Sequence, residues 1–234
     1  MYKEVWDKYM KGFKLILPFI LVYVLFQNTS FNFKFVEYGF FEGKFSTFKQ
    51  AVENNLISIL FILFVGSLFY SFLTVVIKKL INGEIINYIE SFKESLGIYL
   101  KYLGLNIILS GVMLGVMLLG FFHIIMPIAF ILMIYLSVIF TPCEAYLVYN
   151  NSSPVEAFKK GISVGKKYSG EIILLSIMIC IILGIASVIT ISMKTSPIGE
   201  IFVDFINTCA LFYVYAFAMT ICKKEGKEEQ ALEY

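Results

Sequence analysis

The chain is expected to be all-α: a polytopic membrane helical bundle of about six transmembrane helices with amphipathic interfacial connector helices. Three observations predict this class. Apolar stretches that reach or approach the ~20 residues needed to cross a bilayer recur six times. Charged residues are only 15% of the 234 positions, against about a quarter in soluble domains. The basic residues gather between the apolar stretches rather than within them.

The first apolar run, 13–27, is short and contains Pro18. Lysines at 3, 8, 11 and 14 ahead of it give the layout of a signal peptide. No small-x-small cleavage site follows, and the first alanine is Ala51, so we expect an uncleaved span, with a cleaved signal and a re-entrant or interfacial segment as the alternatives. The remaining spans are expected near 55–77, 104–122, 124–149, 171–193 and 198–222. Spans three and four meet at a tight turn around Phe122–His123, and spans five and six at Lys194–Gly199, where Pro197 acts as a helix stop. Residues 28–54, rich in Phe and Tyr, form the one sizeable outer segment.

Orientation follows from the lysines. All 19 basic residues are lysine. With the N-terminus in the cytoplasm, 15 of the 19 fall in the inner segments 1–14, 78–103, 150–170 and 223–234. The positive-inside rule therefore predicts a multi-pass protein of the cell membrane with both termini cytoplasmic. The absence of arginine argues against a site needing a guanidinium fork. Lysines scattered between spans make no continuous basic stripe, so nucleic acid is not an expected partner.

The inner segments read as amphipathic helices. Tyr2, Trp6, Tyr9 and Phe13 make one apolar stripe; Ile85, Ile89, Phe92, Leu96 and Tyr99 make a second. Val155, Phe158 and Ile162 make a third, opposite Lys159, Lys160, Lys166 and Lys167. Such helices either lie among headgroups with lysines toward anionic lipid or pack under the bundle as elbows. Trp6 and the four lysines of the third connector are the candidate lipid contacts.

The chain is expected to be one integral membrane domain, 1–234, with an internal parallel repeat, 91–149 and 157–222. Residues 91–112 align without gaps on 157–178, with eight identities in 22 positions, among them Phe92/Phe158, Tyr102/Tyr168, Gly104/Gly170 and Ser110/Ser176. The copies share one membrane orientation. A weaker echo begins at Thr47.

The segment Glu144-Ala-Tyr-Leu-Val-Tyr-Asn-Asn-Ser-Ser-Pro-Val-Glu-Ala-Phe-Lys-Lys-Gly161 resembles a pattern in six-span prokaryotic membrane proteins. The pattern is a span ending in a short polar turn, then an amphipathic Glu-Ala-Leu-Lys-Arg-Ser-like helix. The best-named member of that group is the membrane domain attached to some glycerophosphodiester phosphodiesterases. Glu156, Ala157 and Lys159 match directly, while Phe158, Lys160 and Gly161 replace leucine, arginine and serine. The resemblance implies a six-span membrane domain. The soluble phosphodiesterase domain has no counterpart here, so its activity is not implied.

Ionisable groups inside a membrane are functional candidates by default. Glu144 follows Thr141-Pro142-Cys143, and Pro142 lacks the N–H that would bond Val138, so a kink and a free carbonyl are expected. Glu144 then either forms part of a small polar pocket for a cation or proton, or pairs with a lysine such as Lys101 or Lys167. Asp204 is expected one turn into the last span from the outside, near Glu200 and His123. It is too far from Glu144 to act with it as a pair. Gly111 and Gly115 form a GxxxG pattern, read as helix packing within the chain before homodimerisation. Cys143, Cys180, Cys209 and Cys222 show no metal-ligand spacing and read as small hydrophobes.

No HExxH, GxSxG, P-loop or Rossmann fingerprint is present, and one histidine cannot build a histidine-based metal site. We therefore expect no enzyme activity, cofactor or metal. The expected partners are the lipid bilayer, anionic headgroups, and a protein partner or a second copy of the chain. The leading expectation is an accessory or membrane-organising protein. A small permease or lipid-handling protein is the alternative.

Overall fold

A computed structural model describes residues 1–30, 45–122, 124–191 and 197–232. Most of the aromatic outer segment, His123 and Lys194 lie outside the described residues. The described chain is all helix: α1 Tyr2–Lys11, α2 Phe13–Ser30, α3 Phe45–Asn54, α4 Leu56–Asn82, α5 Tyr88–Leu119, α6 Met126–Asn150, α7 Pro154–Lys167, α8 Ser169–Ile191 and α9 Pro197–Leu232.

Five helical segments among the described residues are long and apolar enough to cross a membrane: Leu56–Asn82, Tyr88–Leu119, Met126–Asn150, Ser169–Val188 and Ile201–Gly226. The protein is thus a multi-pass helical membrane protein. The first expected span is a shorter apolar helix, Phe13–Leu25, and α2 runs through Pro18 without a break.

Local chemistry sets the helix ends. Gly83 closes α4 at φ +76°, a conformation that costs residues with a Cβ. Asn87 caps α5, its side-chain oxygen accepting from the Ile89 N–H at 3.0 Å. Asn151, at φ 49°, ends α6, and the Ser153 hydroxyl accepts from the Glu156 N–H at 3.3 Å to open α7. Pro154 sits at the start of α7, where the missing N–H costs nothing. Pro197 is the first described residue of α9, and residues 192–196, on which the expected helix stop bears, lie outside the described residues.

Two expected boundaries move. The second connector and the third span fuse into one 32-residue helix, α5, and α9 continues well past residue 222. Within α4, Ile62–Gly66 forms a π-helical turn, and the Tyr99 hydroxyl of α5 donates to the Phe64 carbonyl there at 3.2 Å.

The lysine-bearing helix ends assemble at one end of the bundle. Lys78 and Lys79 of α4 reach Glu94 of α5 at 3.4 and 3.2 Å. Lys167 of α7 pairs with Glu225 of α9 at 2.7 Å, and Lys223 of α9 donates to the Ile81 carbonyl at 3.1 Å. Buried residues concentrate here, in 138–148 of α6 and 216–222 of α9, while α8 and the first half of α6 are largely exposed. Exposed apolar side chains suit helices whose solvent is lipid.

In the two aligned segments, Ser91, Ser95, Ile98 and Tyr102 are buried on α5, and Ala157, Gly161 and Val164 are buried on α7 with Tyr168 just after it. Both segments thus bury two small residues, one aliphatic and one tyrosine. They differ after the tyrosine: α5 runs on as a single helix, whereas the second segment breaks at Tyr168 between α7 and α8.

The amphipathic segments differ in what their apolar stripes meet. Helix α7 doubles back along α6 as a packed elbow, with Phe158 against Phe140 at 5.7 Å between ring centroids. On α5 and just before it, the stripe points outward: Ile85 is 95% and Ile89 70% exposed. Helix α1 is held by three tyrosines. Tyr2 donates to the Glu171 carbonyl at 2.9 Å, Tyr9 to the Cys209 carbonyl at 3.0 Å, and Tyr213 to the Tyr2 carbonyl at 3.2 Å. Burial pushes the Tyr9 phenol well above its ordinary value, so it remains a donor at any physiological pH.

Candidate functional site

Glu144 sits in the last two turns of α6, and its partners are tyrosines rather than lysines. The Tyr102 hydroxyl of α5 donates to Glu144 Oε2 at 2.6 Å, and Tyr215 of α9 neighbours the same carboxylate. Hydroxyl-to-carboxylate bonds are short and stronger than neutral ones. Tyr102 is fully buried and also meets the Thr74 side chain of α4. Tyr70 of α4 stacks on Tyr215, ring centroids 5.7 Å apart, and meets Tyr23 of α2 edge-on at 6.0 Å. One polar cluster therefore draws on α2, α4, α5, α6 and α9.

The expected lysine partners are engaged elsewhere. Lys101 donates to the Asn151 carbonyl at 3.1 Å and to its side-chain oxygen at 2.9 Å, and Lys167 holds Glu225. Among the described residues no lysine forms an ion pair with Glu144. The physical reason is position. Glu144 faces the middle of the bundle, and the lysines sit on its rim. Sequence reasoning passed over Tyr102 and Tyr215, though a tyrosine inside an apolar helix needs a partner for its hydroxyl when buried. Asn106 was passed over too; its amide donates to the Ser67 hydroxyl at 2.9 Å, tying α5 to α4.

Pro142 lies two residues before Glu144 inside an otherwise continuous α6. The Thr141 hydroxyl donates back to the Ser137 carbonyl at 2.8 Å, and the Cys222 thiol of α9 donates to the Pro142 carbonyl at 3.7 Å. Pro142 and Glu144 therefore belong to one junction. Asp204 does not. It precedes Tyr215 on α9 by three turns, or ~16 Å of helix, and its carbonyl accepts from Thr208 at 2.6 Å. The Glu200 side chain and His123, its expected neighbours, lie outside the described residues.

The close helix crossing falls at a different glycine pair. No described atom lies within 4 Å of where a Cβ would stand at Gly111 or Gly115, and both are exposed. The expected packing through these two glycines is not formed. Gly161 and Gly165 make it instead, at the same i, i+4 spacing. A Cβ on Gly161 would stand 2.6 Å from the Cys143 Cα, and one on Gly165 would strike the Ile139 carbonyl oxygen. Glycine lets α7 approach the backbone of α6 beside the turn that Pro142 interrupts.

This packing fixes which face of α7 is outward. Ala157, Gly161, Val164 and Gly165 are buried, and Lys159, Lys160, Lys166 and Lys167 are exposed. Trp6 of α1 is 52% exposed and meets Tyr213 edge-on at 5.8 Å. Tryptophan and lysine at one end of a bundle are the residue types of a membrane–water boundary.

Among the described residues no three His, Cys, Asp or Glu side chains converge to hold a metal ion. No family model, curated protein or solved structure matches the chain.

Proposed function

We propose that this chain is a non-enzymatic membrane-organising protein that holds its lysine-bearing end, placed in the cytoplasm, against anionic headgroups. The supporting observation is the division of α7, whose small-residue face is spent on α6 while its lysine face is exposed. The tyrosine-caged carboxylate serves this role as a rigid hub. Each lysine near an anionic surface contributes about 1 kcal/mol. Replacing Lys159, Lys160 and Lys166 with glutamine should cut the enrichment of phosphatidylglycerol around the protein several-fold. The measurement is lipid analysis of polymer-extracted discs from a membrane of mixed phosphatidylglycerol and phosphatidylcholine. An unchanged lipid ratio, or movement of a defined solute by the purified protein alone in liposomes, would sink the proposal.

A second reading, a small permease, draws on the Glu144 carboxylate, whose hydrogen bond comes from the neutral Tyr102 hydroxyl. On that reading Glu144→Gln abolishes uptake in proteoliposomes while Asp204→Asn leaves it intact. Equal transport by wild type and Glu144→Gln would exclude it.

A further inference from the structure

Helices α6 and α8 are joined at one end through α7 and separate beyond it, leaving a cleft of about 390 Å³ that is open at the side. That volume falls within the roughly 300–1,000 Å³ of ordinary ligand clefts. Its walls are Ile134 and Val138 of α6 and Ile173, Ile177 and Ile181 of α8. Ser176 and Cys180 also line it, but the Ser176 hydroxyl donates back to the Ile172 carbonyl at 2.9 Å and a thiol is a weak donor, so the lining offers no charged handle.

The charged handle stands at the mouth. Gly165 rests on Ile139, the residue after Val138. The next residue, Lys166, is exposed, and its carbonyl accepts from the Ser169 hydroxyl at 3.0 Å. Ile173 of the cleft wall follows one turn later along α8. A cation on a flexible four-carbon stem therefore stands where the apolar slot begins. Lys159, two turns earlier, is exposed on the same face of α7.

We infer that this cleft seats one acyl chain of an anionic glycerophospholipid whose phosphate lies at Lys166. The apolar slot selects for a chain and the lysine for a negative head. The inference rests on the headgroup contact proposed above and adds a defined seat to it. Glu171, two residues into α8, is the one carboxylate in that turn and opposes the headgroup.

Native mass spectrometry from discs holding equal phosphatidylglycerol and phosphatidylcholine tests the seat. The wild type should retain one phosphatidylglycerol. Ile177→Trp or Ser176→Trp, which fill the slot at positions already facing lipid, should lose it at least ten-fold. Lys166→Glu should lose the preference for phosphatidylglycerol, and Glu171→Gln should strengthen it. A variant whose size-exclusion profile departs from wild type is replaced by the other tryptophan variant. Retention unchanged by tryptophan but reduced by Lys166→Glu overturns the seat and leaves the headgroup contact standing. Retention unchanged by either overturns both.

Discussion

Gly165→Ala is expected to unfold the lysine-bearing end of the bundle, whereas Gly111→Ala and Gly115→Ala are expected to be silent or stabilising. The contrast comes from the same residue type at the same spacing. At Gly165 a methyl group strikes a backbone carbonyl of α6, which cannot move aside as a flexible side chain would. Overpacking of this kind typically costs ~1–3 kcal/mol and sometimes more. The larger figure is expected here, because α6 and α7 must separate along their whole contact. At Gly111 and Gly115 the new methyl enters open space, and alanine gains up to ~1 kcal/mol of helix propensity over glycine at each site. Thermal denaturation in detergent, followed by size-exclusion chromatography, reads both effects. A melting temperature lowered by Gly111→Ala and unchanged by Gly165→Ala would reverse the assignment of the crossing.

The second large effect is expected at Glu144. Replacing it with leucine removes the acceptor of the buried Tyr102 hydroxyl and the polar neighbour of Tyr215. Each donor left unsatisfied in the bundle costs about 1–3 kcal/mol. Tyr102→Phe removes one donor and leaves the carboxylate with Tyr215, so it should cost less than Glu144→Leu. The double variant, with no acceptor and one fewer orphaned hydroxyl, should be more stable than the sum of the two single losses. Strict additivity in that cycle would mean that Tyr102 and Glu144 are not coupled.

These two cases mark how far the amino-acid order could be followed. The class was legible because span length and lysine placement are set by bilayer thickness and charge, both readable along one dimension. In the aligned segments 91–112 and 157–178, Tyr102 and Tyr168 are both buried, and small residues precede each at the same spacing. The partners of Glu144 were not legible. Lysine is the obvious mate for a carboxylate along the chain, but the choice between rim and centre depends on how five helices are arranged. Gly161 and Gly165 escaped notice for a different reason. A GxxxG pattern is sought in apolar runs, and this one lies in a lysine-rich connector that could equally have rested on the headgroups. The break at Tyr168, absent at the matching Tyr102, follows from that packing: α7 must turn back along α6 before α8 can depart.

The π-helical turn at Ile62–Gly66 makes α4 sensitive to counting. Above it, Leu56, Ile57, Leu60 and Phe61 are exposed; below it, Ser67, Ser71 and Thr74 are buried against the hub. A turn of this kind accommodates about one residue more than the α-helix around it. Deleting a single residue there would let the helix wind evenly. The faces on either side would keep their directions, because the wide turn absorbs that residue; a deletion elsewhere in α4 would instead rotate everything above by ~100° relative to the serines below. Composition and hydropathy would barely change, yet the outward residues would no longer meet lipid while the inward ones met the hub. For this helix the place of a deletion carries information that no substitution can supply.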